Sequence, residues 1–515
     1  GQNAQVHVLQ PSSQSVLLNR VLSDNPTQIL GQLQANGQVV LVNPKGIVVG
    51  SDGSVSASAF TASTLQITDA DFMAGNARYT RNGSTGQVLN QGRINVAPGG
   101  YVALLGTHVS NEGQIIAPQG GVALGAAETV TAPVGRTGKI KLELTPASIN
   151  AVVANHKNGV IVAEGGQVYL QAAALGQAVA SVLHSGHIDT SGMQGGAVHV
   201  LADGGQIKVD GRITANSSHP ANKGGDIVIG RDLQTGALAG HTDVSGAQLE
   251  SQGGFVETSG HRMQLDAAQV KAAQWLIDPY DIDITDGALT TGYTSKVSAT
   301  TLGAALTGGT TVTITTDANS GPASNVAVNT LGASTGTGNI RVSNAINAAG
   351  AGTLELLADN RIDVAAAISG TNLNVKLAAG RTTASGGISL SGTINTRGGS
   401  LVVNTNKGGI EQLASINPAN ATGNVTYQTQ GGRIMMRFGT VLNGNHVLLD
   451  NTGSTDGVTP GNQFNAANEP GIYIFNASVN AGGQVTMLCK SESSHGVQIQ
   501  NSFLKHLPHR LSLQP

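Results

Sequence analysis

The stretches NQGRINVAPGGYVALL (residues 90–105) and NEGQIIAPQGGVAL (residues 111–124) are two copies of one repeating unit. Asn-x-Gly recurs 21 positions later, and Ala-Pro recurs 20 positions later. Each copy contains a turn, a short alternation of apolar and polar residues, a Gly-containing turn and a second short alternation. Alternation at period two is typical of β-strands. Looser copies follow, with Gly-Gly pairs at 165–166, 195–196, 224–225 and 398–399.

A period of about 20 residues, made of short strands and tight turns, predicts a solenoid, because one coil cannot bury its own apolar residues. Stacked coils bury these residues in continuous columns and pair each backbone group with a neighbouring coil. We therefore predict an all-β fold: a right-handed parallel β-helix with coils of roughly 20 residues and small extra-helical elements. Ile94, Val102, Ile115 and Val122 are predicted to point inward. A β-sandwich or an up-and-down barrel is the alternative, but sandwich strands usually run longer.

The composition excludes several classes of protein. Among 515 residues, 71 are Gly, 3% are aromatic and 11% are charged, which excludes a coiled coil and a charged disordered chain. The net charge of −3 argues against nucleic acid as a partner, because phosphate binding requires a basic surface. The sequence contains no apolar run of about 18 residues, so it predicts no membrane insertion. The single cysteine, Cys489, excludes an intrachain disulfide.

Three segments interrupt the repeat. Residues 268–283 contain the one tryptophan, Trp275, and the densest group of acidic residues. Ser298–Leu306 has leucines at i and i+4 behind a Ser/Thr start, which predicts a short helix. After Cys489 glycine nearly disappears, and we expect residues 489–515 to form an atypical tail, truncated, frameshifted or disordered, rather than another coil.

The candidate catalytic and metal-binding residues all have simpler interpretations. Asp278, Asp281, Asp283 and Asp286 could bind Ca²⁺, which prefers oxygen ligands, but a polar connector between two solenoid segments is the favoured interpretation. Residues 259–261, Ser-Gly-His, lack the positioned acid of a catalytic triad. The Gly-rich stretches contain neither phosphate-binding motif. The sequence therefore predicts no enzyme, no cofactor and no metal site.

Two motifs near the start of the chain resemble a known family. They are QPSSQSVLLNRV (residues 10–21) and ILGQLQANGQVVLVNPKGI (residues 29–47). Both resemble the secretion domain, also called the haemagglutination-activity domain, of two-partner secretion exoproteins, the filamentous-haemagglutinin group. The family pattern is Asn-Pro-Asn-Gly-Ile, and this chain has Lys45 at the third place. GGFVETSGH (253–261) and AQWLIDP (273–279) are similar to the high-molecular-weight adhesins of that group. The resemblance covers roughly residues 1–320.

The resemblance implies a recognition element for a partner outer-membrane transporter with periplasmic recognition domains. An exposed strand edge could pair with those domains by strand addition. The residues that carry this implied secretion motif are Asn19, Arg20, Asn36, Asn43, Pro44, Lys45, Gly46 and Ile47. On residue chemistry alone, Asn-Pro-x-Gly is equally well explained as a solenoid corner, because Pro presets φ and Gly ends the turn.

The repeat and the family resemblance together predict the domain organisation. We predict a secretion domain at 1–135 that lacks its N-terminal cap, a β-helix continuation at 136–275, a connector with a short helix at 276–309, a repetitive β-helical passenger at 310–488 and the tail at 489–515. The chain opens within the region of the first motif, so the sequence is expected to be truncated at its N-terminus, and also at its C-terminus.

The implied function is that of a secreted or surface-exposed adhesin, exported through the periplasm by its partner transporter. It would attach to a host receptor or glycan on cells or matrix through a β-helical rod. Two alternatives remain open: a haem- or haemopexin-binding exoprotein with the same export domain, and the stalk of a contact-dependent toxin. A carbohydrate-active enzyme is a more remote alternative, because charged residues are too sparse for a lyase groove.

Overall fold

The computed structural model describes residues 1–132, 141–316, 338–381, 386–406, 408–417, 422–430, 432–452, 471–489, 496–506 and 511–514. The chain divides into two compact units. Unit 1 contains the described residues up to His261 together with Ala268–Ala273, and unit 2 contains the other described residues.

Unit 1 is a parallel β-helix in which each coil contributes one strand to each of three ladders. The first ladder contains β1 (Gln5–Val8), β4 (Gln32–Ala35), β7 (Ser54–Ala57), β11 (Arg93–Val96), β14 (Gln114–Ile116), β19 (Val160–Val162), β22 (His187–Asp189), β25 (Arg212–Thr214) and the start of β28 (Gln248–Ser259). The second contains β2 (Val16–Arg20), β5 (Gln38–Val42), β8 (Ala59–Ser63), β12 (Tyr101–Gly106), β15 (Gly121–Ala126), β20 (Gln167–Ala173), β23 (Ala197–Asp203), β26 (Asp226–Ile229) and the end of β28. The third contains β3 (Thr27–Ile29), β6 (Ile47–Val49), β10 (Gln87–Asn90), β13 (His108–Asn111), β18 (Ala151–Asn155), β21 (Ala180–His184), β24 (Gln206–Val209) and β27 (His241–Asp243).

The register of these ladders confirms the repeat that the sequence indicates. Ile94 pairs with Ile115 in the first ladder, and Val102 pairs with Val122 in the second. All four side chains are completely buried, as predicted. Five of the coils are 21 to 27 residues long. The parallel pairing excludes the sandwich and the up-and-down barrel, in which neighbouring strands run antiparallel.

Two insertions in unit 1 form a small extra-helical element that we call the flap. It contains helix α1 (Asp69–Ala74) and the antiparallel strands β9 (Arg78–Thr80), β16 (Thr129–Thr131) and β17 (Glu143–Thr145). The flap packs Tyr79 and Val130 against the outward-facing Val42 and Leu105 of the second ladder. It therefore buries apolar residues on the outside of the coils, where solvent would otherwise reach them.

Unit 2 is also built of parallel ladders. One contains the end of β30 (Gln269–Asp278), β33 (Thr311–Thr315), β36 (Thr353–Leu357), β39 (Asn374–Ala379), β42 (Leu401–Thr405), β44 (Val425–Thr429), the ends of β46 (Val441–Asp450) and β48 (Ser478–Leu488), and β51 (Leu511–Gln514). Another contains β29 (Arg262–Leu265), β32 (Lys296–Val297), β31 (Ile282–Ile284), β34 (Ile340–Val342), β37 (Ile362–Val364), β40 (Ile388–Leu390), β43 (Ile410–Gln412), β45 (Ile434–Met436), β47 (Ile472–Phe475) and β49 (Val497–Gln500). The third contains β35 (Ile346–Ala348), β38 (Ile368–Gly370), β41 (Ile394–Asn395), the starts of β46 and β48, and β50 (Phe503–His506).

In the interior of unit 2, identical side chains stack on one another along a ladder. One column consists of consecutive buried isoleucines on seven strands: Ile282, Ile340, Ile362, Ile388, Ile410, Ile434 and Ile472. Each isoleucine meets an identical side chain in the next coil. A β-branched side chain packs well on a pleated surface, so this column fills the interior without rings.

The predicted short helix is confirmed as α2 (Ala299–Thr307). Ser298 caps it, because its side chain accepts a hydrogen bond from the backbone N–H of Thr301. The structure differs from the prediction that residues 489–515 form an atypical tail. β49 pairs with β47, and β50 and β51 pair with β48, so these strands continue the ladders instead of departing from them. None of the helices in the described part of the chain is long and apolar enough to span a bilayer.

A substitution at Ile115 tests the inward direction of the first ladder. Ile115→Asp places a carboxylate in a dry interior column and should lower the free energy of unfolding by roughly 3 kcal/mol or more. The matched control is Ile116→Asp, because the next side chain along the strand is only half-buried, and it should cost less than about 1 kcal/mol. Urea denaturation of the full chain measures both. Equal losses for the two variants would contradict the assignment.

Candidate functional site

Residues 43–47 form the corner between β5 and β6. The backbone carbonyl of Asn43 accepts a hydrogen bond from the N–H of Gly46 at 3.1 Å, and the Asn43 Oδ1 accepts one from the N–H of Lys45 at 2.9 Å. Gly46 has a φ of +130°, which other residues rarely adopt. The tetrad is therefore a tight turn closed by both its backbone and its asparagine side chain.

Asn43 is completely buried, although the implied role would favour an exposed side chain. Its Nδ2 donates to the carbonyl of Asn25 at 3.0 Å and to the Oγ1 of Thr27 at 2.9 Å. Both acceptors belong to the preceding coil, so Asn43 clamps two successive corners together. Ile47 is also buried, in the column between Thr27 and Val88. These two residues of the motif support the corner and present no side chain to a partner.

Pro44 and Lys45 are the residues of the corner that reach the surface. The Nζ of Lys45 lies 3.1 Å from Oδ1 of Asp24, and both side chains are largely exposed. An ion pair of this kind contributes little to stability, so the charge of Lys45 remains available to a partner.

Asn19 and Arg20 lie on β2, which pairs directly with β5. Asn19 is exposed. Arg20 contacts the flap, because its guanidinium donates to the carboxylate of Asp69 and, at 2.8 Å, to the carbonyl of Ile67. Arg20 therefore ties the first coil to the start of α1.

Asn36 lies at a different corner, between β4 and β5. Its Oδ1 accepts from the N–H of Gln10 at 2.7 Å, and its Nδ2 donates to the carbonyl of Gln10 at 2.8 Å. The side chain thus pairs with the backbone of the neighbouring coil as a strand residue would. The structure does not bring Asn36 to the surface that contains Arg20 and Lys45.

An open cleft with a volume of about 420 Å³ joins the two motifs. Its lining residues are Arg20, Val21, Leu22, Ser23, Val42, Pro44, Lys45, Gln66, Asn82, Gly83, Ser84 and Thr85. The Oγ of Ser84 donates to the carbonyl of Pro44 at 2.7 Å, which fixes one wall against the corner. Leu22, at the rim, is 93% exposed. The cleft combines two cations with an exposed apolar side chain.

The sequence alone missed the wall formed by residues 82–85. This segment lies in the insertion after β8, and its position depends on the flap rather than on the repeat. The Asn-Gly-Ser turn signal there was the available clue, because Asn82 has a positive φ of 46°.

The acidic cluster of unit 2 is held by hydrogen bonds. Asp281 accepts from the N–H and the hydroxyl of Thr294, at 2.7 and 2.9 Å. Asp283 accepts from the N–H of Thr290 at 2.9 Å and from the hydroxyl of Ser343 at 2.6 Å. This arrangement supports the connector interpretation. Within the ranges that the structure describes, no group of three or more His, Cys, Asp or Glu side chains is placed to hold a metal ion.

Residues 1–215 match the family model of the TPS secretion domain. Residues 1–215 therefore carry a TPS secretion domain. The resemblance to two-partner secretion exoproteins is thereby confirmed. Proteins with this domain pass through the periplasm and an outer-membrane transporter to the cell surface or the medium, and this is the export route of the present chain as well.

Two curated relatives from Haemophilus influenzae are both named heme/hemopexin-binding protein. One, from strain Rd, is 34% identical over 127 residues, which is 24% of this chain and 14% of the relative. The other is 33% identical over 92 residues, which is 18% of this chain and 10% of the relative. The matches thus span less than a sixth of each relative's length. The crystal structure of the HMW1 secretion domain from Haemophilus influenzae aligns with 87% of this chain and 90% of its own, at 19% identity and a TM-score of 0.43.

The stability of two variants separates the buried and exposed parts of the corner. Asn43→Ala leaves the Asn25 carbonyl, the Thr27 hydroxyl and the Lys45 N–H without their partner, and should cost about 1–3 kcal/mol. Lys45→Ala removes only a surface ion pair and should cost less than about 1 kcal/mol. Urea denaturation of the full chain measures both. A Lys45→Ala variant as unstable as Asn43→Ala would show that the lysine supports the corner as well.

Proposed function

We propose that the cleft between residues 20–23, 44–45 and 82–85 is the surface that the transporter's periplasmic domains recognise. The observation that supports this is the convergence of both sequence motifs and the flap segment on one cleft. The two cations would attract acidic groups of the transporter, and Leu22 would supply apolar contact area. Asn43, Gly46 and Ile47 act indirectly, by holding the corner in shape.

Secretion by the cognate transporter tests the cleft. The chain, fused to a signal peptide, is co-expressed with and without the transporter, and secreted protein is quantified. Lys45→Glu and Leu22→Asp should each reduce secretion several-fold while the free energy of unfolding stays within about 0.5 kcal/mol of wild type. Lys157→Glu makes the same charge change at an exposed position far along the sequence and serves as the control. Wild-type secretion of both cleft variants would overturn the proposal.

We further propose that the exported chain is an adhesin without enzymatic activity, which attaches to a host receptor or glycan. Parallel ladders continue well beyond residue 215, the end of the family match, so each unit presents outward-facing strand positions as a binding surface. We assign no catalytic role to Ser259, because its hydroxyl donates to the carboxylate of Glu257 at 2.8 Å.

Haem or haemopexin binding is the second candidate, because both curated relatives have that name. One structural observation favours it. Tyr169 and His199 stack with ring centroids 4.8 Å apart on the outside of the second ladder in unit 1. Burial lowers the pKa of His199, which keeps its imidazole neutral and able to bind metal. Both residue types serve as axial ligands of haem iron.

Two binding assays distinguish the candidates. Beads coated with the full chain should attach to epithelial cells or matrix, whereas beads coated with Ile115→Asp, whose unit 1 is destabilised, should attach less. Titration with haem should leave the visible haem spectrum unchanged if the chain is an adhesin only. A spectral change that disappears in both Tyr169→Phe and His199→Gln would favour the second candidate, and a lack of attachment would contradict the first.

A further inference from the structure

A line of buried amide side chains runs through unit 1 at the end of the third ladder. Asn90, Asn111, Asn155 and His184 occupy the last position of β10, β13, β18 and β21, and all four are completely buried. Their in-register pairing places each side chain over the next. A polar side chain in this interior position must find its hydrogen bonds within the column, because no solvent reaches it.

The hydrogen bonds of this column all run in one direction. The Nδ2 of Asn90 donates to Oδ1 of Asn111 at 2.7 Å, and the Nδ2 of Asn111 donates to Oδ1 of Asn155 at 2.7 Å. The Nδ2 of Asn155 lies 3.1 Å from Nδ1 of His184. An amide group carries a donor on one side and an acceptor on the other, so each residue fixes the orientation of its neighbour.

His184 determines which direction the column takes. Its Nε2 lies 3.1 Å from the backbone carbonyl of Arg212, which can only accept, so Nε2 carries the proton. In the neutral ring Nδ1 is then an acceptor, and it receives the Asn155 amide. The far end shows the cost of this arrangement: the Oδ1 of Asn90 is buried and has no hydrogen-bond partner among the described residues.

We infer that His184 is a proton-controlled switch for the direction of this column, and that its protonation makes unit 1 labile to acid. An imidazolium carries protons on both nitrogens, so Nδ1 would meet the Asn155 amide donor to donor. All three asparagines must then rotate to reverse the column, or the column must break. Rotation removes the contacts of their Nδ2 atoms with the carbonyls of Gln114, Gly113 and Gly159, at 3.4, 3.3 and 3.2 Å. It also replaces the unpaired acceptor of Asn90 with an unpaired donor, which proteins tolerate less well.

The charged and titratable groups around His184 do not provide a buried counter-ion. Asp210, on the following turn, favours the charged ring and is exposed, whereas His187 opposes the charged ring. The side chain of Arg212, whose carbonyl accepts from His184, is directed to Glu250 at 3.1 Å. Burial dominates and lowers the pKa of His184 from 6.5 to about 4.

The sign of the pH effect follows from this depression. The unfolded chain binds a proton at His184 near pH 6.5, and the folded chain does so only near pH 4. The contribution of His184 to stability is therefore complete above about pH 6.5 and is lost as the pH falls toward 4. From this residue alone, the ratio of unfolded to folded protein should rise about 50-fold between pH 7 and pH 4.5.

Replacing His184 by asparagine provides the decisive comparison. In His184→Asn, an amide of similar shape can accept from Asn155 and donate to the Arg212 carbonyl, so the column is complete and cannot be protonated. Urea denaturation of the full chain at pH 7 and pH 4.5 measures the acid-induced rise in the ratio of unfolded to folded protein. This rise should be about 50-fold smaller in the variant than in wild type. His187→Asn changes the neighbouring histidine, whose effect on the pKa of His184 is smaller than that of burial, so this variant should lose almost as much stability as wild type.

A measurement on the wild-type chain keeps the inference testable if His184→Asn does not fold. In protein labelled with ¹⁵N-histidine, the His184 resonances are those missing from the spectrum of a His184→Gln variant. At pH 7 they should show a neutral ring protonated on Nε2, and they should titrate far below the other histidines. An Nδ1–H ring at pH 7, or parallel acid losses in wild type and His184→Asn, would overturn the inference.

Discussion

In-register parallel stacking is the constraint on which the structure of both units depends. Each inward side chain lies directly over its counterpart in the next coil. The residue at an inward position must therefore pack well against the residue at the same position of the neighbouring coils. The seven consecutive isoleucines of unit 2 satisfy this rule with the most regular packing available to β-branched residues. The same constraint explains the shortage of aromatic residues. The interior of each coil is narrow, and stacking many rings at the same position of successive coils would not fit in it.

The same constraint allows polar residues in the interior only as continuous columns. A single asparagine in an apolar column would leave both the NH2 and the C=O of its side-chain amide unpaired. In a stack of asparagines, each amide pairs with the next one. Asn43 solves the problem in another way, by bonding to the backbone and to Thr27 in the preceding coil. A polar residue therefore connects neighbouring coils in both cases, which makes corners and columns of amides the points where adjacent coils are held in register.

The sequence predicted well what depends on the period and poorly what depends on insertions. Ile94, Val102, Ile115 and Val122 could be assigned to the interior because alternation and spacing determine the direction of each side chain. Asn43 could not, because a turn signal specifies the backbone conformation and leaves open whether the side chain points to solvent. The cleft was also beyond reach, since one of its walls belongs to residues 82–85. Their position is set by the packing of a segment that lies outside the repeat.

The flap differs from the ladders of unit 1 because it joins insertions from two coils that are not neighbours. A ladder bond connects a coil only to its neighbours, so coils can add one after another as the chain becomes available. β9 and β16 are separated by a whole coil, and Thr80 pairs with Thr129. The partly buried ion pair between Arg81 and Glu128, with N and O 2.7 Å apart, joins the same two insertions. The flap can therefore close only after the residues of β16 and β17 are available. A nascent chain that lacks β16 leaves Val42 and Leu105 exposed to water.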